Sequence, residues 1–101
     1  MNFEQMIEYL DCAWDRDGIL GQIREGKFSP EDGDKFLLTL KGMRVNDDAL
    51  LPKRLVSLVW YLPSFLDWQS KRVEEKGGNL ESYKHFVTLV LNALEDILGV
   101  P

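Results

Sequence analysis

The sequence predicts an all-α protein that forms one domain. Apolar residues recur at steps of three and four along most of the chain, and no segment alternates with a period of two. Gly, Pro, Asn and Ser stand where helices begin or end. A chain of 101 residues also has the commonest domain size. We therefore expect a single domain over residues 1–101, a bundle of four to five helices around a hydrophobic C-terminal helix.

The first helix is expected over residues 2–16, with a short helical turn after it over residues 18–25. Asp17 is the candidate cap of that turn, and Gly26 is its expected end. The apolar residues of the first helix follow the helical period: Phe3, Met6, Ile7, Leu10, Ala13 and Trp14.

Ser29 opens the next helix, because its side chain can accept from free amides and Pro30 suits the first helical position. We expect residues 46–48 to form a turn and a cap. The apolar residues of this helix are Phe36, Leu37, Leu40 and Met43.

A third long segment is expected over residues 52–76, interrupted at Pro63, which lacks a backbone donor and crowds the preceding turn. Residues 77–78 are glycines that end it, and Asn79 caps a last helix over residues 80–98 with Gly99 as its stop. This last helix is apolar on most of its circumference, which is typical of the central helix of a bundle.

Charge is distributed unevenly along the chain. The net charge is −5, and residues 1–34 hold nine acids against three bases. This balance disfavours nucleic acid, whose phosphates need clustered Lys and Arg, and it favours a basic protein partner. No apolar run reaches the roughly 18 residues of a membrane span. One cysteine and an acidic amino terminus favour a cytoplasmic protein.

Four carboxylates form an acidic stripe on the first helix: Glu4, Glu8, Asp11 and Asp15. They fall within roughly 60° of one another, and like charges four residues apart destabilise a helix by roughly 0.2–0.5 kcal/mol per pair. Either this is a solvated face, or it meets basic groups on a partner. The next helix adds three acids in its first turns: Glu31, Asp32 and Asp34.

Residues 60–68 hold four of the eleven aromatic residues. On a continuous helix, Leu62 and Leu66 belong to the core stripe, whereas Trp60, Tyr61 and Trp68 point roughly 120–140° away from it. These three side chains either pack between helices or anchor a partner, since Trp and Tyr are enriched in binding hot spots. The direction of the bend at Pro63 decides between the two.

No pattern of catalytic, metal-binding or cofactor-binding residues is present. His85 is the only histidine, and no nucleophile and base are paired in the sequence. Cys12 is interpreted as an inert small hydrophobe. Neither glycine-rich segment has the pattern of a phosphate loop. We therefore expect a binding protein without cofactor or metal, and not an enzyme.

In size, acidic helical build, acidic stripe and aromatic run, the chain resembles the immunity proteins that bacteria pair with secreted or contact-delivered toxins. The resemblance implies a cytoplasmic protein that binds one toxin domain, such as a nuclease with a basic cleft, and occludes its active site. The alternative is a helical adaptor that self-associates or docks on a larger assembly. The expected partner-binding residues are Glu4, Glu8, Asp11, Asp15, Glu31, Asp32, Asp34, Trp60, Tyr61 and Trp68.

Overall fold

The computed structural model describes all residues, 1–101, and contains only helices, which confirms the all-α class. The helices are α1 (Phe3–Trp14), α2 (Ile19–Arg24), α3 (Pro30–Lys41), α4 (Lys53–Val59), α5 (Leu62–Trp68), α6 (Ser70–Glu75) and α7 (Leu80–Leu98). α4, α5 and α6 follow one another closely as one interrupted helical segment, residues 53–75, which we call the broken arm. Counted with α1, α2, α3 and α7, the chain has five helical units. None of the helices is both long enough and apolar enough to cross a lipid bilayer.

The helix starts read from the sequence are largely confirmed. Ser29 accepts a hydrogen bond from the amide of Asp32, and the Asn79 side chain accepts one from the amide of Ser82. Asn2 caps α1 and exchanges two hydrogen bonds with Gln5, at 2.8 and 2.9 Å. α2 begins after Gly18 and has no side-chain cap, so the expected role of Asp17 was wrong.

The third segment breaks twice. The first break, at residues 60–61, precedes Pro63, which therefore lies in the first turn of α5. The second break falls at Gln69, between α5 and α6. The turn at residues 46–48 does not cap α4, whose preceding residue is Pro52.

The core is one cluster of 22 buried apolar residues. α7 packs against α3, α5 and α6, whereas α1 packs against α2 and α4. α7 is amphipathic: it buries one face and leaves Lys84, His85, Thr88 and Asn92 exposed. Its buried residues are Tyr83, Phe86, Val90, Ala93, Leu94 and Ile97. α7 therefore forms one wall of the core and presents a largely polar face to solvent, so the expectation of a central helix that is apolar on most of its circumference was wrong.

Tyr83 ties α7 to the broken arm. Its hydroxyl donates to the carbonyl of Leu66, in the last turn of α5, at 2.6 Å. Burial, and secondarily the negative charge of Asp67, raises the pKa of the Tyr83 phenol well above its ordinary value of 10.0. The neutral phenol is therefore the form that holds this helix end.

Candidate partner-binding surface

The break between α4 and α5 creates an aromatic surface, which consists of Trp60, Tyr61 and Trp68. Trp60 is 61% exposed and Trp68 is 65% exposed. Tyr61 is half-buried between them, with its ring centroid 5.5 Å from that of Trp60 and 5.8 Å from that of Trp68. The two tryptophans thus lie outside the core, and Tyr61 connects them to it.

The local sequence explains why these side chains separate from their neighbours. Pro63 has no amide hydrogen to donate to the carbonyl of Val59, so α4 ends at Val59 and the chain restarts as α5. The restarted helix turns Leu62, Phe65 and Leu66 into the core. Trp60 lies in the joint, and Trp68 lies on the solvent side of α5.

Trp14 of α1 supports the aromatic surface from beneath. Its indole N–H donates to the carbonyl of Leu58 at 2.9 Å, and so satisfies one of the carbonyls that the end of α4 leaves free. Its ring stacks on Tyr61 at 6.3 Å and meets the edge of Phe65 at 4.8 Å. These contacts fix the joint against α1, so that the aromatic surface stands on a packed support.

Sequence reasoning missed Arg24 as a neighbour of this surface. Its guanidinium carbon lies 5.9 Å from the ring centroid of Trp14 and 5.5 Å from that of Phe65. Arg24 ends α2, and nothing in the sequence links residue 24 to residues 14 and 65. Only the packing of α1, α2 and α5 brings the three side chains together.

The acidic stripe runs along α1 toward the aromatic surface. Glu4, Glu8 and Asp15 are exposed, and Asp15 directly follows Trp14, the support of Tyr61. Asp11 is less exposed than these and forms an ion pair with Arg54 of α4. The charge repulsion expected from the sequence is therefore relieved at Asp11 by a tertiary contact, and three carboxylates of the stripe stay free of ion pairs.

The three acids of α3 do not lie on one surface. Glu31 forms an ion pair with Lys35 at 3.7 Å. Asp32 borders a groove that α1 and α2 also line, whereas Asp34 borders a groove shared with α7. Successive residues of a helix are about 100° apart, so residues 32 and 34 point to nearly opposite sides. Only the stripe on α1 ends next to Trp14, which packs on Tyr61 of the aromatic surface.

A groove of about 310 Å³ lies between α1, α2 and α3. Cys12 lies in this groove and is exposed. The groove is lined by Tyr9, Cys12, Ala13, Asp17, Ile19, Gln22, Asp32, Lys35 and Phe36. His85 lies on the exposed face of α7, and its side chain forms no hydrogen bond with another residue. No group of three or more His, Cys, Asp or Glu side chains is arranged to hold a metal ion.

No protein-family model, curated protein or solved structure matches this chain.

Proposed function

We propose that this protein is an immunity protein that binds a cognate bacterial toxin domain and neutralises it by covering its active site. The observation that supports this most is a pair of tryptophans, each more than 60% exposed, that flank Tyr61 where it packs on Trp14. Folding does not require either indole to face water. Exposed Trp and Tyr that become buried at an interface contribute a large share of binding energy.

The two parts of the surface have different roles in this proposal. Trp60 and Trp68 insert into the toxin and slow dissociation, because buried aromatic anchors are lost only when the interface opens. Glu4, Glu8 and Asp15 attract a basic cleft and speed association, since complementary charge steers encounter. A nuclease toxin fits, because its substrate cleft is built to bind phosphate. The inhibitor acts in the cytoplasm, where such a toxin finds its substrate.

The test begins with the toxin gene expected next to the gene for this protein. The toxin domain is purified and its binding kinetics are measured against wild type and the double variant Trp60→Ala/Trp68→Ala. We expect dissociation to quicken by at least about 30-fold, as for hot-spot residues worth roughly 2 kcal/mol or more. Leu38→Ala, which removes a 75% exposed side chain on α3, is the matched control and leaves the rate unchanged.

The acidic stripe is tested with the double variant Glu8→Lys/Asp15→Lys. Association should slow severalfold, and its dependence on salt concentration should flatten, because long-range attraction is screened by ions. Glu95→Lys/Asp96→Lys makes the same charge change on the exposed side of α7 and serves as control. If wild type neither binds the toxin domain nor protects cells that make the toxin, the proposed function is wrong. If both the aromatic and the acidic variants bind and protect like wild type, the assignment of the binding surface is wrong.

A helical adaptor that self-associates is the second candidate, because two exposed tryptophans on one surface also suit contact with a second copy of the chain. Light scattering of the purified protein separates the two. A stable dimer that Trp60→Ala/Trp68→Ala converts to monomer favours the adaptor, whereas a wild-type monomer favours the immunity protein.

A further inference from the structure

Arg24 lies beside the aromatic surface in an arrangement that leaves its donors free. The residue is exposed, and its guanidinium rests near the rings of Trp14 and Phe65. It forms no ion pair with another residue, unlike Arg54, which pairs with Asp11. An arginine that stacks on aromatic rings keeps the N–H groups at its edge available for a carboxylate.

Further positive charge surrounds Arg24. Arg72 donates from its guanidinium to the carbonyl of Arg24 at 2.6 Å. At Gly26, a Cβ atom would come within 2.8 Å of the Arg72 Cγ and 2.7 Å of the Lys76 Cγ, so both stems pass close to the end of α2. No carboxylate forms an ion pair with Arg24, Arg72 or Lys76. Arg24, Arg72 and Lys76 therefore form a basic spot where the end of α2 meets α6, with the exposed Glu25 next to Arg24.

Arg24 and Tyr61 contact the same two rings, which connects the basic spot to partner binding. Tyr61 lies 6.3 Å from Trp14 and 6.3 Å from Phe65, the rings that Arg24 also approaches. A partner whose contact extends from Tyr61 across Trp14 to Arg24 removes water from the Arg24 guanidinium as well. Burying an unpaired charge is costly, so a tight complex needs an acceptor at that point.

We propose that Arg24 is a partner-binding residue that receives a carboxylate from the protein docked on the aromatic surface. This inference rests on the proposed function and deepens it, because it describes the partner. The toxin surface then carries an Asp or Glu beside the apolar pocket for the tryptophans, in addition to the bases that face α1. A partner whose contact surface is purely basic does not fit.

The test compares Arg24→Gln, which removes the charge, with Arg24→Glu, which reverses it, using the purified toxin domain as the probe. We expect Arg24→Gln to weaken binding about tenfold and Arg24→Glu to weaken it considerably further. Arg16→Gln is the matched control, because Arg16 is exposed and forms no ion pair, and it should bind like wild type. Urea unfolding of each variant checks that the fold persists.

The outcomes separate this inference from the proposed function. If wild type does not bind the toxin domain, both are overturned. Should Trp60→Ala/Trp68→Ala weaken binding while the Arg24 variants bind normally, only the inference about Arg24 fails. If Arg24→Gln and Arg24→Glu weaken binding equally, the inference about Arg24 is also overturned. A side chain that merely covers Trp14 and Phe65 would be affected equally by a neutral and by a negatively charged replacement.

Discussion

Two aromatic clusters of equal size face different environments in this protein. The inner cluster consists of Tyr9, Phe28, Phe36, Tyr83 and Phe86. The outer cluster consists of Trp14, Trp60, Tyr61, Phe65 and Trp68. In the inner cluster Phe36, Tyr83 and Phe86 are at most 4% exposed, whereas two tryptophans of the outer cluster are more than 60% exposed.

The difference follows from the helices that carry the clusters. Phe36, Tyr83 and Phe86 lie on α3 and α7, two uninterrupted helices whose apolar faces pack against each other. The outer cluster lies largely on the broken arm, where Pro63 divides one aromatic run between a joint and a new helix. The inner cluster therefore stabilises the fold, while the outer cluster leaves apolar side chains exposed to solvent, as expected of a binding site.

The largest expected effect comes from removing a ring of the inner cluster. Phe86→Ala should lower the free energy of unfolding by about 3–5 kcal/mol, because a buried ring is replaced by a cavity among Phe28, Phe36 and Tyr83. Urea unfolding followed by circular dichroism measures the loss. If Phe86→Ala lowers the free energy of unfolding by less than about 1 kcal/mol, the inner cluster does not stabilise the fold more than the outer one.

Tyr83→Phe removes only the hydroxyl that bonds to Leu66. We expect a loss of about 1 kcal/mol, since the Leu66 carbonyl keeps a longer bond from the amide of Gln69 at 3.3 Å. Tyr9→Phe is the matched control in the same cluster, because the Tyr9 hydroxyl donates no hydrogen bond, and its unfolding free energy should equal that of wild type within error. A larger loss for Tyr9→Phe than for Tyr83→Phe would contradict this assignment.

The raised pKa of Tyr83 also predicts a dependence of stability on pH. The unfolded phenol loses its proton near pH 10, whereas the folded one holds it to higher pH. The unfolded state therefore binds fewer protons above pH 10, and the free energy of unfolding should fall there. Unfolding measured between pH 8 and pH 11 should show a shallower decline in Tyr83→Phe than in wild type; identical slopes would refute the prediction.

The smallest effect on stability is expected in the outer cluster. Trp60→Ala/Trp68→Ala should lower the free energy of unfolding by less than about 1 kcal/mol, since both indoles already face solvent. The same variant is the one expected to lose partner binding. Intrinsic fluorescence of wild type should be red-shifted relative to this variant, in which the half-buried Trp14 is the only indole left. A loss comparable to that of Phe86→Ala would show that the outer cluster is part of the core.

Most of the helical framework follows from local sequence. Ser29 before Pro30, Asn79, Gly26 and Gly99 mark helix ends, because capping and a positive φ depend on a few neighbouring residues. The shared face of Glu4, Glu8 and Asp11 likewise needs only the period of one helix. These features were predicted correctly because the interactions that create them span four residues or fewer.

The arrangement of the candidate site depends on contacts that local sequence does not contain. The exposure of Trp60 and Trp68 depends on where the helix restarts around Pro63. Trp14 holds that joint, because its indole N–H donates to a carbonyl 44 residues away. The packing of separate helices places Arg24 near the ring of Phe65 and pairs Arg54 with Asp11. The sequence by itself determined the helices and their polar and apolar faces. Only the tertiary structure decided which charges remain unpaired and which aromatic rings meet water, because both depend on partners distant along the chain.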